Sequence, residues 1–319
     1  MSEPQGSLPP AWERQVLEKV ALAAIEEQRR ARRWRIFFYF LFFAYLLALP
    51  LLLALDSQFK LDGVSRADSY SALVELEGEI ASDAEANADT LAQGLRDAFE
   101  DDKVKGVILR INSPGGSAVQ SAYVNAEIKR LRAKYPDKKL YAVITDIAAS
   151  GAYYIAAAAD QIYAHENSLV GSIGVLMNGF GFTGTLDKLG VERRLLTAGE
   201  HKGFLDPFSP LKEPEVAHTK AMLEDIHQNF IKAVRAGRGA RLKDDPEIFS
   251  GLIWSGGKAK ALGLVDDFAS AGQVARDVIG AEEVVDFTPK KDYLERLSDR
   301  LGASAASSLA SLLRTQSVR

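Results

Sequence analysis

The stretch Asp146 to Asp160, D-I-A-A-S-G-A-Y-Y-I-A-A-A-A-D, sets a serine at the junction of two kinds of local structure. The run Leu140 to Thr145 before it, rich in β-formers, favours a strand, and the alanine-rich run after it favours a helix. Ser150 then falls on the turn between them. Its neighbours Ala149 and Gly151 are small enough for another chain to come close. The N–H groups at a helix start point outward and carry partial positive charge, which suits a developing oxyanion. The chemistry on offer is acyl transfer through a serine nucleophile. The competing reading makes Ser150 an N-cap, the commoner duty of a serine before a helix, and no G-x-S-x-G elbow decides between the two.

Two more glycine-bearing turns follow apolar runs, at Gly115-Gly116 and at Gly171-Ser172. In layered α/β proteins sites gather at the carboxyl ends of strands, where helix N-termini converge. A Gly-Gly turn also lets a backbone N–H reach a substrate carbonyl. No nucleotide site is expected, since G-x-x-x-x-G-K-[ST] is absent. A length of 319 residues with 47% apolar and 26% charged residues allows one large or two ordinary globular domains. The net charge of −4 gives no reason to expect nucleic acid as a partner. The chain has no cysteine, which excludes disulfides, thiol catalysis and thiolate metal sites and leaves the redox compartment open. His165, His201, His218 and His227 lack ligand spacing, so neither a metal nor a cofactor is expected.

The elements that must position these turns can be read from periodicity. A strand is predicted over Ala72–Ile80, a helix over Ala88–Glu100, a strand over Val104–Asn112 and a helix over Ala118–Lys134, before the strand that leads to Ser150. This alternation predicts an α/β fold of βαβ units with parallel strands. Further on, strands are expected at Gln161–His165, Leu169–Val175 and Glu192–Thr197, with a short helix at Phe182–Leu189 and a turn-rich loop over Ala198–Phe208. The segment Pro214–Gly237 carries Val216, Ile226, Phe230 and Val234 at helical spacing, a core-facing stripe.

At the other end of the chain, Ile36 to Leu55 is a run of twenty residues without a charge, behind Arg29, Arg30, Arg32, Arg33 and Arg35. At about 1.5 Å per residue it would span the roughly 30 Å hydrocarbon core of a bilayer, and Pro50 does not disqualify it. A cleavable signal peptide fits less well: the polar leader is long, the run is longer than a usual apolar region of that kind, and no clean A-x-A site follows. A single-pass anchor at 36–55 is expected in the inner (plasma) membrane, with residues 1–35 cytoplasmic by the positive-inside rule and the rest outside the cytoplasm. Residues 56–71 would form a connector.

Five motifs in fixed order then resemble a known family: I-N-S-P-G-G (Ile111–Gly116), A-A-S-G-A-Y-Y-I-A (Ala148–Ala156), A-D-Q-I-Y-A (Ala159–Ala164), G-S-I-G-V (Gly171–Val175) and G-E-H-K-G-x-x-D-P-F (Gly199–Phe208). The later G-x-x-W-S-G-G-x-A-x-x-L-G-L-V-D (Gly251–Asp266) extends the likeness. The set resembles bacterial signal peptide peptidase A, a membrane-bound serine–lysine peptidase family with a Clp protease/crotonase-like fold. The resemblance implies a peptidase domain over 72–288, with a tail over 289–319. It implies Ser150 as nucleophile, Lys202 as general base, the backbone N–H groups of Gly116 and Gly151 as oxyanion hole, and Ser172 as the residue orienting the lysine amine. It also implies signal peptides and other peptides as substrates and a homo-oligomeric ring in which Lys202 serves the Ser150 of a neighbour. Ala152 departs from the family pattern, which has a second glycine there. An ordinary lysine is protonated at neutral pH, and about three pKa units, or roughly 4 kcal/mol, separate it from a working base. Burial must supply that difference. A Ser150–His201 pairing is the weaker alternative. Two other functions compete: a crotonase-like acyl-CoA enzyme, which would use the same oxyanion hole without Ser150 or Lys202, and an inactive anchored scaffold.

Overall fold

The computed structural model describes residues 11–62 and 68–290, and of residues 11–14, 17, 21 and 49–62 the backbone alone. The chain divides into two compact units, Met1–Arg66 and Ala67–Arg319. In the first, a single helix α1 runs over Ala11–Asp62. Phe38, Tyr39, Phe40 and Leu41, about 100° apart around its axis, are each more than half exposed, so the helix is apolar on every side there. Among the described residues no helix is long and apolar enough to cross a membrane. The run expected to span one continues through residues 49–55, whose side chains lie outside the described set.

The second unit is a layered α/β fold with a parallel-rich sheet. Its elements are β1 (Tyr70–Glu77), α2 (Ala88–Glu100), β2 (Val104–Ser113), α3 (Ala118–Lys134), β3 (Lys139–Ala149), α4 (Gly151–Ala156), β4 (Gln161–Ala164), β5 (Leu169–Gly171), α5 (Thr183–Leu189), α6 (Glu213–Arg238), β6 (Ile253–Ser255), α7 (Gly256–Ala261), β7 (Asp267–Phe268) and β8 (Val284–Asp286). The sheet runs β6-β5-β3-β2-β1-β8, with β4 pairing β3 and β7. Every pairing is parallel except β5 with β6. β2 reads as a near-continuous apolar run because both faces are covered: Val107, Leu109 and Ile111 join the main core beneath the helices, while Ile108 joins a smaller cluster with Leu73, Val143 and Val274. Asn87 and Ser117 cap α2 and α3 by accepting from the N–H of Thr90 and Gln120.

β3 is the strand that places the site. Its start, Tyr141–Val143, pairs β4, and its end, Ile147–Ala149, pairs β5. Between them the pairing with β2 shifts, Ile111 facing Ile144 and Ser113 facing Ala148. The extra residues form a bulge, which bends the strand onto a new neighbour before the turn at Ser150.

Three expectations change. The strand expected over 169–175 stops at Gly171, where φ turns to 114° and Ser172 follows at 51°. The strand expected over 72–80 starts at Tyr70 and ends at Glu77, where Gly78 has φ 82°. No strand forms over 192–197: the segment is exposed, Leu196 at 95%, and no described strand lies beside it to take its N–H and C=O groups.

A buried ion pair closes the fold. Arg238, 1% exposed, forks onto Asp266 with two bonds of 2.8 Å and donates its Nε to the Gly263 carbonyl. The Ile162 N–H also donates to Asp266, and the Tyr153 hydroxyl to the Leu264 carbonyl. Burial pushes the Asp266 carboxyl up, but the Arg238 fork, the Ile162 N–H and Arg241 outweigh it and hold the group below its ordinary 3.8. Its stabilisation is therefore complete above the ordinary value and is lost as pH falls through the lower folded one. Asp266→Asn should destabilise the second unit by about 3 kcal/mol, because it leaves the Arg238 charge buried without a counter-ion. Denaturant melts near neutral pH check this, and the gap between variant and wild type should narrow in strong acid.

Candidate active site

Ser150 has φ 53° and ψ −124°, a conformation that L-residues rarely adopt, and its side chain caps nothing. The N-cap reading is therefore set aside. The bulged end of β3 delivers the serine, α4 begins at once, and the Ser150 N–H donates to the Gly171 carbonyl at 2.8 Å. Such a strand–turn–helix corner lifts a side chain off the end of the sheet, as the serine turn of α/β hydrolases does with a different motif.

Beside it, the Gly115-Gly116 turn is fixed from the other flank. The Ile80 N–H donates to Gly115 at 2.8 Å, and the Ser117 N–H to Ile80 at 2.7 Å. Gly116 has φ 144°, and a Cβ there would run into the Ile80 carbonyl, so glycine is required twice over. Its amide nitrogen lies 3.4 Å from where a Cβ on Gly151 would stand. Among the described residues neither the Gly116 nor the Gly151 N–H donates to any partner. Two unpaired donors at one corner could hold an anionic carbonyl oxygen.

Ser172 joins the same corner, held in left-handed backbone by its N–H bond of 2.8 Å to the Leu252 carbonyl. Ser150, Gly116, Gly151 and Ser172 all line one groove of about 1200 Å³, with Tyr154 and Phe230 on its floor. Lys202 is not among the residues lining it; it is exposed on a turn where its N–H donates to Gly199 at 3.1 Å. His201 is exposed on the same turn. Within one chain the structure gathers four of the five expected site residues and leaves out the base.

One glycine spacing departs from the expectation of no nucleotide site. Gly179, Gly181 and Gly184 spell G-x-G-x-x-G. The run lies on an exposed segment with no strand leading into it, and a Cβ at each would meet open space, so the setting that gives the motif its meaning is missing.

The arrangement defines a class of site: a serine corner with free amide donors at the carboxyl edge of a parallel α/β sheet, able to receive an acyl carbonyl. A family model described as Peptidase family S49 matches residues 132–284, a span that holds Ser150, Gly151, Ser172 and Lys202 but not Gly116. A Synechocystis protein provisionally named a protease is 32% identical over 231 residues, which cover 72% of this chain and 79% of that one. An Enterococcus faecium protein, provisionally named signal peptide peptidase SppA, is 36% identical over 172 residues, 54% of this chain and 49% of its own. A Brucella melitensis protein named Na(+)/H(+) antiporter NhaA is 41% identical over 214 residues, 67% of this chain but 29% of that protein. The match thus spans under a third of the Brucella relative's length. The chain belongs to peptidase family S49.

Trp254 falls within the Gly251–Asp266 motif, where its residue type alone points to no role. It lies on β6, opposite Val170, and its Cδ1 would stand 3.0 Å from a Cβ on Gly171. Its indole N–H is buried without a hydrogen-bond partner among the described residues, so the ring contributes packing and a face for the Lys258 ammonium at 6.0 Å, and no hydrogen bond. It backs the residue whose carbonyl pins Ser150. Trp254→Ala should cost about 3 kcal/mol of stability by denaturant melts, and Trp254→Phe clearly less, since no bond to the indole N–H is lost.

Proposed function

We propose that this protein is a membrane-anchored serine peptidase with a Clp protease-like catalytic layer, in which Ser150 of one copy works with Lys202 of a neighbouring copy. The observation that carries the reading is the left-handed corner at Ser150 beside two unpaired N–H groups. Ser150 Oγ attacks the substrate carbonyl carbon while its proton passes to the Lys202 amine. The tetrahedral oxyanion sits on the Gly116 and Gly151 N–H groups. Lys202 then gives the proton to the leaving amine, and water resolves the acyl-enzyme by the same route in reverse. Ser172, on the groove wall beside Ser150, holds the lysine amine in line. Crotonase-like chemistry is the weaker reading, because it has no use for a serine held at φ 53°.

Two observations support a neighbour as source of the base. The chain's own Lys202 lies off the groove. The segment between β5 and α6 is exposed and apolar, with Leu176 at 79%, Phe180 at 82% and Leu196 at 95% exposure, which suits burial against another copy. Docking there would also remove the lysine from water, as base catalysis requires. The substrates are peptides, including spent signal peptides, and the all-round apolar stretch of α1 behind its arginine cluster anchors the enzyme with residues 1–35 in the cytoplasm.

A fluorophosphonate probe should label wild type and not Ser150→Ala; an unlabelled wild type sinks the reading. Ser150→Ala and Lys202→Ala should each abolish peptide cleavage. Mixed in one closed assembly in equal amounts, they should restore about a quarter of the wild-type sites, against none if the pair meets within one chain. A phosphatase reporter fused after residue 285 should be active, and silence in a well-expressed fusion reverses the topology.

A further inference from the structure

The groove beside Ser150 has a second chemical feature. Among the described residues, its only charged lining residues are Lys129 on α3 and Lys232 on α6, and no carboxylate lines it. Both lysines are exposed, and neither has an ion-pair or hydrogen-bond partner among the described residues. Most of the cleft is apolar, so two free ammonium groups are its principal means of selecting a polar ligand.

Their position along the groove follows from what α3, α4 and α6 touch. On α3, Ser121 packs by Gly151, Asn125 donates to the Tyr154 carbonyl at 2.7 Å, and Arg132 donates to Ala158 at 2.6 Å. On α6, His227 bonds the Ile173 carbonyl, Phe230 packs tilted against Tyr154 with ring centres 5.0 Å apart, and Gly237 packs on Ala157. The three helices therefore run in one direction away from Ser150. Lys129 and Lys232 both stand beyond Tyr154, four residues past Asn125 and two past Phe230. At about 1.5 Å per residue, the eight residues from Ser121 to Lys129 give about 12 Å from Ser150, and the six through Tyr154 and Phe230 to Lys232 give about 9 Å, so the two stand about three residues of extended peptide away.

Resting on the peptidase reading, we propose that Lys129 and Lys232 form a carboxylate subsite that holds the free C-terminus of a peptide about three residues from the bond placed at Ser150. A spent signal peptide has such a carboxylate, and a segment inside an intact chain does not. The subsite selects peptides that have already been cut. An acidic side chain at the same spacing offers the same chemistry from a second source.

The test is binding to the full-length protein, read by anisotropy of an apolar peptide labelled at its N-terminus, which requires no turnover. Three forms are compared: free acid, C-terminal amide, and an amide with glutamate three residues from the bond. The free acid should bind about tenfold tighter than the amide, a gap that shrinks as salt rises. In Lys129→Gln/Lys232→Gln, the acid should bind no better than the amide. If only the glutamate form gains, the subsite reads side chains and the terminus assignment falls. Equal binding of acid and amide, or a gap that survives the double variant, overturns the subsite. Cleavage of the same peptides reports separately on the peptidase reading: binding without cleavage sinks that reading and leaves the subsite standing.

Discussion

The hydrogen bond from the Ser150 N–H to the Gly171 carbonyl is where the two halves of the site are joined. It ties the end of β3 to the end of β5 at the residue that must leave the strand, and it holds Ser150 at a φ that an L-residue adopts only under constraint. On the far side of β5 the antiparallel β6 takes the next step: the Leu252 carbonyl accepts from Ser172, and Trp254 backs Gly171. Strain at the serine is thus balanced by a strand more than eighty positions further along the chain. The bulge in β3 exists in the same logic, since without it the strand would stay beside β4 and never meet β5.

On the other flank the constraint is the absence of side chains. Gly116 approaches the Ile80 backbone too closely for a Cβ, and Gly151 approaches Ser121 likewise. Those contacts consume the neighbouring carbonyls and amides of Ile80, Gly115 and Ser117 and leave the Gly116 and Gly151 N–H groups unspent. Gly116 is exposed at the groove edge, whereas Gly151 is buried, and a buried N–H almost always finds a partner. Their freedom makes sense if a ligand completes them.

The groove that leads away from this corner is walled by α3 and α6, and the Arg238–Asp266 pair fixes the end of α6 against the loop after α7. The wall carrying Phe230 and Lys232 therefore depends on a charge pair at its far end. The segment between β5 and α6 is held by the Arg193–Asp206 pair at 3.2 Å and by the Leu205 N–H donating to Glu215 on α6, and it leaves Leu176, Phe180 and Leu196 bare.

Much of this was legible in the chain itself. The helices 88–100 and 118–134 appear with the bounds that capping residues and periodicity set, and the parallel α/β layering follows from apolar runs alternating with helices. The serine corner and both glycine turns could be placed from glycine spacing after strands, because short-range backbone geometry is written in residue types. Register was not legible. The end of β5, the bulge in β3 and the failure of 192–197 to form a strand depend on which backbone is adjacent, and sequence periodicity carries no information about neighbours. Ser150 as cap or corner was undecidable for the same reason: its φ is imposed by Gly171 and β6, not by its own neighbours. Sequence named Lys202 through resemblance alone, and only the folded chain showed that this lysine and this serine do not share a groove. A base and a nucleophile meet by three-dimensional placement, and that placement is a property of the packed chain and not of their spacing along it.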